Sequence, residues 1–168
     1  MKLIYELPLA DRQALDAAGV KDEQILYCIP FEYHEQRMVE GYMVLTPTRL
    51  YKLQDGALID SWEIDRMSDF HVEQLYGCAA FYAKLDGNSV LLCRFSTGRS
   101  LVRYTILAQG CSKVAEGITE NLPTSDEPER YCPKCGRPFI RNTQLCPYCQ
   151  DKKKIYTTLW RMTKGMRI

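Results

Sequence analysis

Residues Met43-Val44-Leu45-Thr46-Pro47-Thr48-Arg49-Leu50-Tyr51 join two apolar runs through a short polar turn. The run before the turn is Met38–Thr46, and the run after it is Arg49–Gln54. Both runs are rich in Val, Leu and Tyr, residues that occur often in strands, and Pro favours a turn between them. The stretch therefore predicts two antiparallel strands that are neighbours in a sheet.

Short apolar runs separated by turn residues at nearly even spacing continue on both sides of this stretch. Asp55-Gly56 and Asp86-Gly87-Asn88 have the composition of tight hairpin turns, because Gly and Asn adopt positive φ at little cost. We therefore expect neighbouring strands to pair in a mainly β protein of the α+β class. The seven predicted strands are Gln24–Phe31, Met38–Thr46, Arg49–Gln54, Ala57–Ile64, Phe70–Tyr76, Cys78–Leu85 and Val90–Phe95.

Two helices are predicted beside the strands. The first is Leu9–Ala18, with Gly19 as its stop. After Ser96 the apolar spacing changes to three and four, which predicts a second helix packed on the sheet. Its apolar face contains Leu101, Tyr104, Ala108, Cys111, Ala115 and Ile118. An alternative is that this helix ends near Gly117.

Four cysteines in two matched C-x-x-C pairs predict a metal site, because two such pairs supply the four thiolates that tetrahedral zinc prefers. Ten residues separate the pairs, and a hairpin in 137–145 would make a rubredoxin-like zinc ribbon of residues 131–150. One structural zinc ion, with iron as the other metal, would supply the folding free energy of so small a module. Two disulfides or a redox pair are the alternatives. The predicted ligands are Cys132, Cys135, Cys146 and Cys149.

The other four cysteines lie scattered among apolar residues, and buried reduced thiols are the interpretation we prefer to disulfides. They are Cys28, Cys78, Cys93 and Cys111. Residues 1–23 have no signal-peptide pattern, so we expect the chain to begin in the cytosol.

Catalytic patterns are missing from the sequence. It has no Gly-rich phosphate loop, no nucleophile elbow and no H-E-x-x-H. His34 and His71, the two histidines, lack ligand spacing, and four cysteines would close the zinc shell against a catalytic water. We therefore predict that this chain is not an enzyme.

Charge is distributed unevenly along the chain, whose total is +1. Residues 151–168 contain six Lys or Arg and one Asp, a net charge of +5, whereas residues 1–150 have 16 basic and 20 acidic residues, a net charge of −4. The sequence therefore divides into a sheet domain at 1–120, a Pro-bracketed acidic linker at 121–130, the ribbon at 131–150 and a basic end at 151–168.

The basic end has apolar residues at helical spacing, and a Trp among basic residues suits the water–lipid boundary. We expect an amphipathic helix on an anionic membrane surface, with a partner-binding or core-docking helix as the alternative. The predicted surface contacts are Lys152, Lys153, Lys154, Trp160 and Arg161.

Seven antiparallel strands followed by one helix resemble a pleckstrin-homology-like barrel, with an unrelated β-sandwich or roll as the alternative fold. The "V-L-T-x-x-R-L" pattern within residues 43–51 is similar to a hairpin common in bacterial members of that fold. The resemblance implies a bent sheet that the helix closes at one end. It does not imply a phosphoinositide pocket, because the basic residues Arg37, Arg49, Lys52 and Lys84 are dispersed, as on a solvated face.

The whole arrangement, with a ribbon that begins Tyr131-Cys-Pro-Lys-Cys-Gly-Arg-Pro138 and a Lys run that leads into Leu159-Trp-Arg-Met162, resembles the cytosolic N-terminal extension of certain bacterial ABC exporter half-transporters. The resemblance implies a non-catalytic regulatory or interaction region at the cytoplasmic face of the bacterial cell membrane. Its expected partners are the membrane surface, the downstream transmembrane and nucleotide-binding domains, and a protein partner for the barrel. ATP would bind only in the downstream part, since this chain has no apolar span and no Walker motif.

A nucleic-acid-binding zinc ribbon is the main alternative function. In it, Lys134, Arg137, Arg141 and Lys152–Lys154 would contact phosphates. The acidic barrel would repel a polyanion, so we expect nucleic acid less than a membrane. An enzyme with its site in the barrel mouth is a third possibility, but the sequence offers it no acid, base or nucleophile set.

Overall fold

The computed structural model describes residues 3–34, 37–124, 130–131, 133–134 and 138–139. The chain divides into two compact units, Met1–Ser125 and Asp126–Ile168. We call the first unit the sheet domain. Its last residues include the start of the predicted linker, and the carbonyl of Pro123 accepts a hydrogen bond from the Tyr27 hydroxyl.

One antiparallel sheet of seven strands forms the centre of the sheet domain, in the order β4-β3-β2-β1-β7-β6-β5. This confirms the predicted number of strands and their antiparallel pairing. The strands are β1 (Tyr27–His34), β2 (Arg37–Leu45), β3 (Arg49–Gln54), β4 (Ala57–Glu63), β5 (Met67–Leu75), β6 (Cys78–Leu85) and β7 (Asn88–Phe95).

The expectation that all neighbouring strands pair is wrong at one junction. A 3-10 helix, Ile64–Arg66, separates β4 from β5, and the two strands lie at opposite ends of the sheet order. The two halves of the sheet are joined instead through β1 and β7, where Tyr33 is the partner of Arg94. The predicted start of β1 at Gln24 is also wrong, because Asp22–Gln24 forms a 3-10 helix.

The two predicted hairpin turns are confirmed. Asp55 and Gly56 have φ of 50° and 79°, and Asp86 and Gly87 have φ of 50° and 83°. Positive φ at both central residues is typical of the two-residue turns whose twist matches that of paired strands. Asn88, which was predicted as part of the second turn, is the first residue of β7.

The predicted helices are both present. Helix α1 (Leu9–Ala17) ends just before Gly19, and helix α2 (Arg99–Ala115) ends before Gly117. The end of α2 at Ala115 agrees with the alternative prediction, in which this helix ends near Gly117. The prediction that Ile118 lies on the apolar face of the helix is therefore wrong. Ile118 is exposed, and its N–H donates to the Lys113 carbonyl at 2.9 Å in the turn that stops the helix.

Each face of the sheet is covered by a different element. On one face, Tyr104 of α2 stacks on Phe95 with ring centroids 4.0 Å apart and also contacts Phe81. Gly110 lets α2 approach β1 closely, since a Cβ there would lie 2.5 Å from the Tyr27 ring. The other face packs with α1 and its flanking segments in a cluster of Leu7, Leu15, Val20, Cys28, Tyr42, Val44, Tyr51 and Leu53.

Candidate functional site

The described part of the second unit is a short β-hairpin around the first C-x-x-C pair. Strand β8 (Arg130–Tyr131) pairs antiparallel with β9 (Pro138–Phe139), with Arg130 opposite Phe139 and Tyr131 opposite Pro138. Pro133 and Lys134 form a turn between the strands. The backbone thus returns on itself across the segment that contains the first two predicted ligands.

The predicted ligands themselves, Cys132, Cys135, Cys146 and Cys149, lie outside the described residues. So do all five predicted membrane contacts, Lys152, Lys153, Lys154, Trp160 and Arg161, and most of the hairpin expected at 137–145. Within the described ranges, no group of three or more His, Cys, Asp or Glu could hold a metal ion. The donor set still fits zinc by its chemistry, because four thiolates satisfy a tetrahedral ion and a hairpin can bring one pair together.

The four cysteines of the sheet domain are free in the structure, and their reduced state stays a prediction. Cys28, Cys93 and Cys111 are buried as predicted, whereas Cys78 is half-buried. Burial raises the pKa of both Cys28 and Cys93 to about 12. Since the thiolate is the reactive form, these two thiols remain protonated and serve as packing groups.

The partly buried position of Lys52 was not predicted from the sequence. It was expected on a solvated face, but its Nζ lies 5.3 Å from the centre of the Phe31 ring, and burial lowers its pKa. Its strand partners are Met43, which is fully buried, and Asp60. The available signal was the alternation along β3, because Lys52 follows the buried Leu50 at a spacing of two.

The buried position of Asp11 was also not predicted, because a carboxylate in a short polar helix is expected to be exposed. Its side chain is buried, and its Oδ1 accepts the Gly56 N–H at 3.0 Å. Burial raises the pKa of Asp11, and the hydrogen bond from Gly56 opposes this shift. This hydrogen bond holds α1 against the turn between β3 and β4.

His71 lies in a polar cluster on β5. The sequence had predicted that both histidines would be ordinary surface or core residues. Its Nδ1 lies 2.8 Å from the Asp69 carbonyl oxygen, and its Nε2 lies 3.3 Å from a Glu73 carboxylate oxygen. These contacts raise the pKa of His71, with the Asp69 carbonyl as the largest cause. Asp69 also forms an ion pair with Lys84 at 3.1 Å. The cluster is a paired surface network.

No protein-family model matches the sequence, and no curated protein matches it. In the part of the chain that the structure describes, no helix has the length and apolar character needed to cross a bilayer. Proposals about function therefore rest on the geometry of this chain and on its sequence.

Proposed function

We propose that the chain is a non-catalytic regulatory or interaction region in which a structural zinc ribbon links the sheet domain to a membrane-surface segment. The single observation that carries this proposal is the pairing of β8 with β9 around the first C-x-x-C. A two-residue ladder has almost no apolar area to bury, so such a hairpin needs another source of free energy. Four thiolates on one zinc ion supply it.

The sheet domain in this proposal is a pleckstrin-homology-like fold. The order β4-β3-β2-β1-β7-β6-β5 and the helix directly after β7 support it, and α2 packs across one face of the sheet. The buried, protonated thiols of Cys28 and Cys93 support a scaffold role for the interior. The domain then acts by binding a partner.

The parent protein in this proposal is a bacterial ABC exporter, with this chain at the cytoplasmic face of the membrane. The support is the sequence order of ribbon, Lys run and Trp-containing amphipathic segment. Basic residues near a bilayer gain about 1 kcal/mol each from anionic lipids, and a Trp anchors at the interface. ATP hydrolysis would belong to the downstream domains.

Metal analysis tests the ribbon. The purified full chain should contain about one zinc per molecule, since two C-x-x-C pairs make one tetrahedral site. Cys132→Ser should release the metal, and the matched control Cys78→Ser, which alters a free thiol of the sheet domain, should retain it. A chain without metal, or one with iron in place of zinc, would contradict the proposed zinc site.

Vesicle binding tests the membrane role. The Trp160 fluorescence should shift to the blue with anionic phosphatidylserine vesicles and remain unchanged with neutral ones. Replacement of Lys152–Lys154 by Gln should weaken binding most at low salt. The nucleic-acid alternative instead requires binding to single-stranded RNA that falls steeply with salt and is lost on Arg141→Gln.

A further inference from the structure

The first half of β1 lacks a β7 partner in the part of the chain that the structure describes. The two strands pair at Tyr33 and Arg94, near the end of each, and after β7 the chain turns into α2. Pro30 helps to end this ladder, because proline has no N–H to donate and its carbonyl accepts the Tyr104 hydroxyl at 3.0 Å. We call the side of Tyr27–Phe31 that faces away from β2 the β1 edge.

Residues Leu3–Leu7 cover the β1 edge, and we call them the plug. The Cys28 N–H donates to the Leu3 carbonyl at 2.9 Å, and the Tyr5 N–H donates to the Cys28 carbonyl at 3.0 Å. These two bonds form a parallel bridge between Ile4 and Cys28. Because β2 occupies the other side of β1, the plug closes the side that β7 does not reach.

The side chains of the plug alternate between the interior and solvent. Leu3 and Leu7 are buried and Tyr5 is half-buried, whereas Ile4 is exposed. The Cζ of Arg103, on α2, lies 4.7 Å from the centre of the Tyr5 ring, and only 6% of Arg103 is exposed. The plug therefore covers a buried cation as well as the backbone groups of β1.

The plug is held separately from the strands that it covers. The seven-stranded order from β4 to β5 does not include it, so its departure breaks no ladder between those strands. Helix α1, which follows the plug, keeps its own hydrogen bond from the Gly56 N–H to Asp11. An opening that breaks two main-chain bonds and a few side-chain contacts costs less free energy than unfolding of the whole domain.

We propose that the plug is a gate: Leu3–Leu7 leaves the β1 edge as a unit while the seven-stranded sheet and both helices stay folded. In the closed form the plug covers the Cys28 backbone, the Cys28 thiol and Arg103, and in the open form solvent reaches them. Access to the β1 edge thus depends on the position of the plug. The gate goes beyond the proposed function, since it requires neither zinc nor a membrane.

Thiol alkylation and amide exchange in the zinc-loaded full chain test the gate. Cys28 reports on it, because its fully buried thiol lies beside the Tyr5 backbone and shares a cluster with Leu7. Iodoacetamide should modify Cys28 about tenfold faster, or more, than the similarly buried Cys93 and Cys111, which become accessible only on global unfolding. The amides of Tyr5 and Cys28 should share one opening free energy with a small urea dependence. Equal modification rates of the three thiols would overturn the proposal.

Substitutions separate the gate from global unfolding. Leu3→Ala removes a buried side chain of the plug and should raise the rate of Cys28 modification about 30-fold. The matched control Ile4→Ala, at the exposed neighbouring position, should change that rate by less than about fivefold. Similar rates in the two variants would contradict the gate.

A third variant weakens the sheet in the closed and open forms alike. Phe70→Leu alters a buried side chain of β5, which does not contact the plug in the strand order. It should speed the modification of Cys93 and Cys111 severalfold and leave that of Cys28 unchanged, because the opening of the plug does not break the sheet. If all three thiols were accelerated equally, Cys28 would be exposed by global unfolding and the proposal would be overturned.

Discussion

The sheet domain and the β8–β9 hairpin obtain their stability in different ways. In the sheet domain, α2 and α1 each bury one side of a seven-stranded sheet, and the large side chains of Tyr27, Phe31 and Tyr104 are almost completely inaccessible. The hairpin has two residues in each strand. Burial stabilises a domain of the first size, whereas a module of the second size needs a metal or a covalent link. The comparison predicts that the two regions can be destabilised independently.

The largest effect inside the sheet domain is expected from Tyr104→Ala. The ring stacks on Phe95, and the hydroxyl donates to the Pro30 carbonyl at 3.0 Å. Removal of a fully buried aromatic ring should lower the free energy of unfolding by about 3–5 kcal/mol. Urea unfolding measures this loss, and Tyr76→Ala, at a fully exposed position, should change stability by less than about 0.5 kcal/mol. Zinc content should stay the same in both variants.

A smaller effect is expected at Asp11, where two substitutions separate charge from hydrogen bonding. Asp11→Ala leaves the Gly56 N–H without its acceptor and should cost about 1–2 kcal/mol, whereas Asp11→Asn keeps an acceptor oxygen. Because burial raises the pKa of Asp11, the native state favours the protonated carboxyl, and stability falls as the pH rises from 3.8 through the raised pKa. Asp11→Asn should remove this fall. Urea unfolding at several pH values measures both effects, and equal losses for Ala and Asn would contradict the hydrogen-bond role.

Lys52 should show a gain in stability when its charge is removed. Burial lowers the pKa of its ammonium group, so the charged form is disfavoured in the native state in spite of the Phe31 ring. Lys52→Met fills a similar volume without charge and should raise the free energy of unfolding by about 1 kcal/mol. The exposed Lys113→Met serves as the control. A loss of stability at Lys52 would show that the contact of its ammonium group with the ring outweighs its desolvation.

The smallest expected effect is at His71, which lies on the surface. Its contacts with the Asp69 carbonyl and Glu73 raise its pKa above 6.5 in the native state. The resulting stabilisation is therefore complete below pH 6.5 and is lost as the pH rises through the raised pKa. An NMR titration of the ring should show the raised value, and Glu73→Gln should lower it. An unchanged pKa in that variant would contradict the contribution of Glu73.

Sequence patterns predicted the regular parts of the sheet domain well. Alternating apolar residues and the Asp-Gly turns predicted the strands, and the apolar spacing from Leu101 to Cys111 predicted helix α2. These predictions succeeded because both signals depend on near neighbours in the chain. The contact between β1 and β7 was not predicted, since it joins Tyr33 to Arg94 across the whole domain. No local pattern specifies such a long-range pairing.

The polar residues of the interior were harder to predict than the strands. Asp11 is buried because α1 docks on a turn that follows 45 residues later, and Lys52 is half-buried because its strand faces Phe31. Both are consequences of tertiary packing, to which a residue's type gives no direct guide. The metal ligands, in contrast, were proposed from spacing alone, because two C-x-x-C pairs are specific in themselves. Their geometry remains a prediction.

Hydrogen exchange before and after chelation tests the central claim, that burial holds one region and zinc the other. In the zinc-loaded full chain, EDTA should abolish protection of the amides in residues 130–139, because zinc binding contributes about 10–16 kcal/mol in comparable peptides. Protection in β1–β7 should not change. Loss of protection in both regions together, or a hairpin that stays protected without metal, would contradict the account.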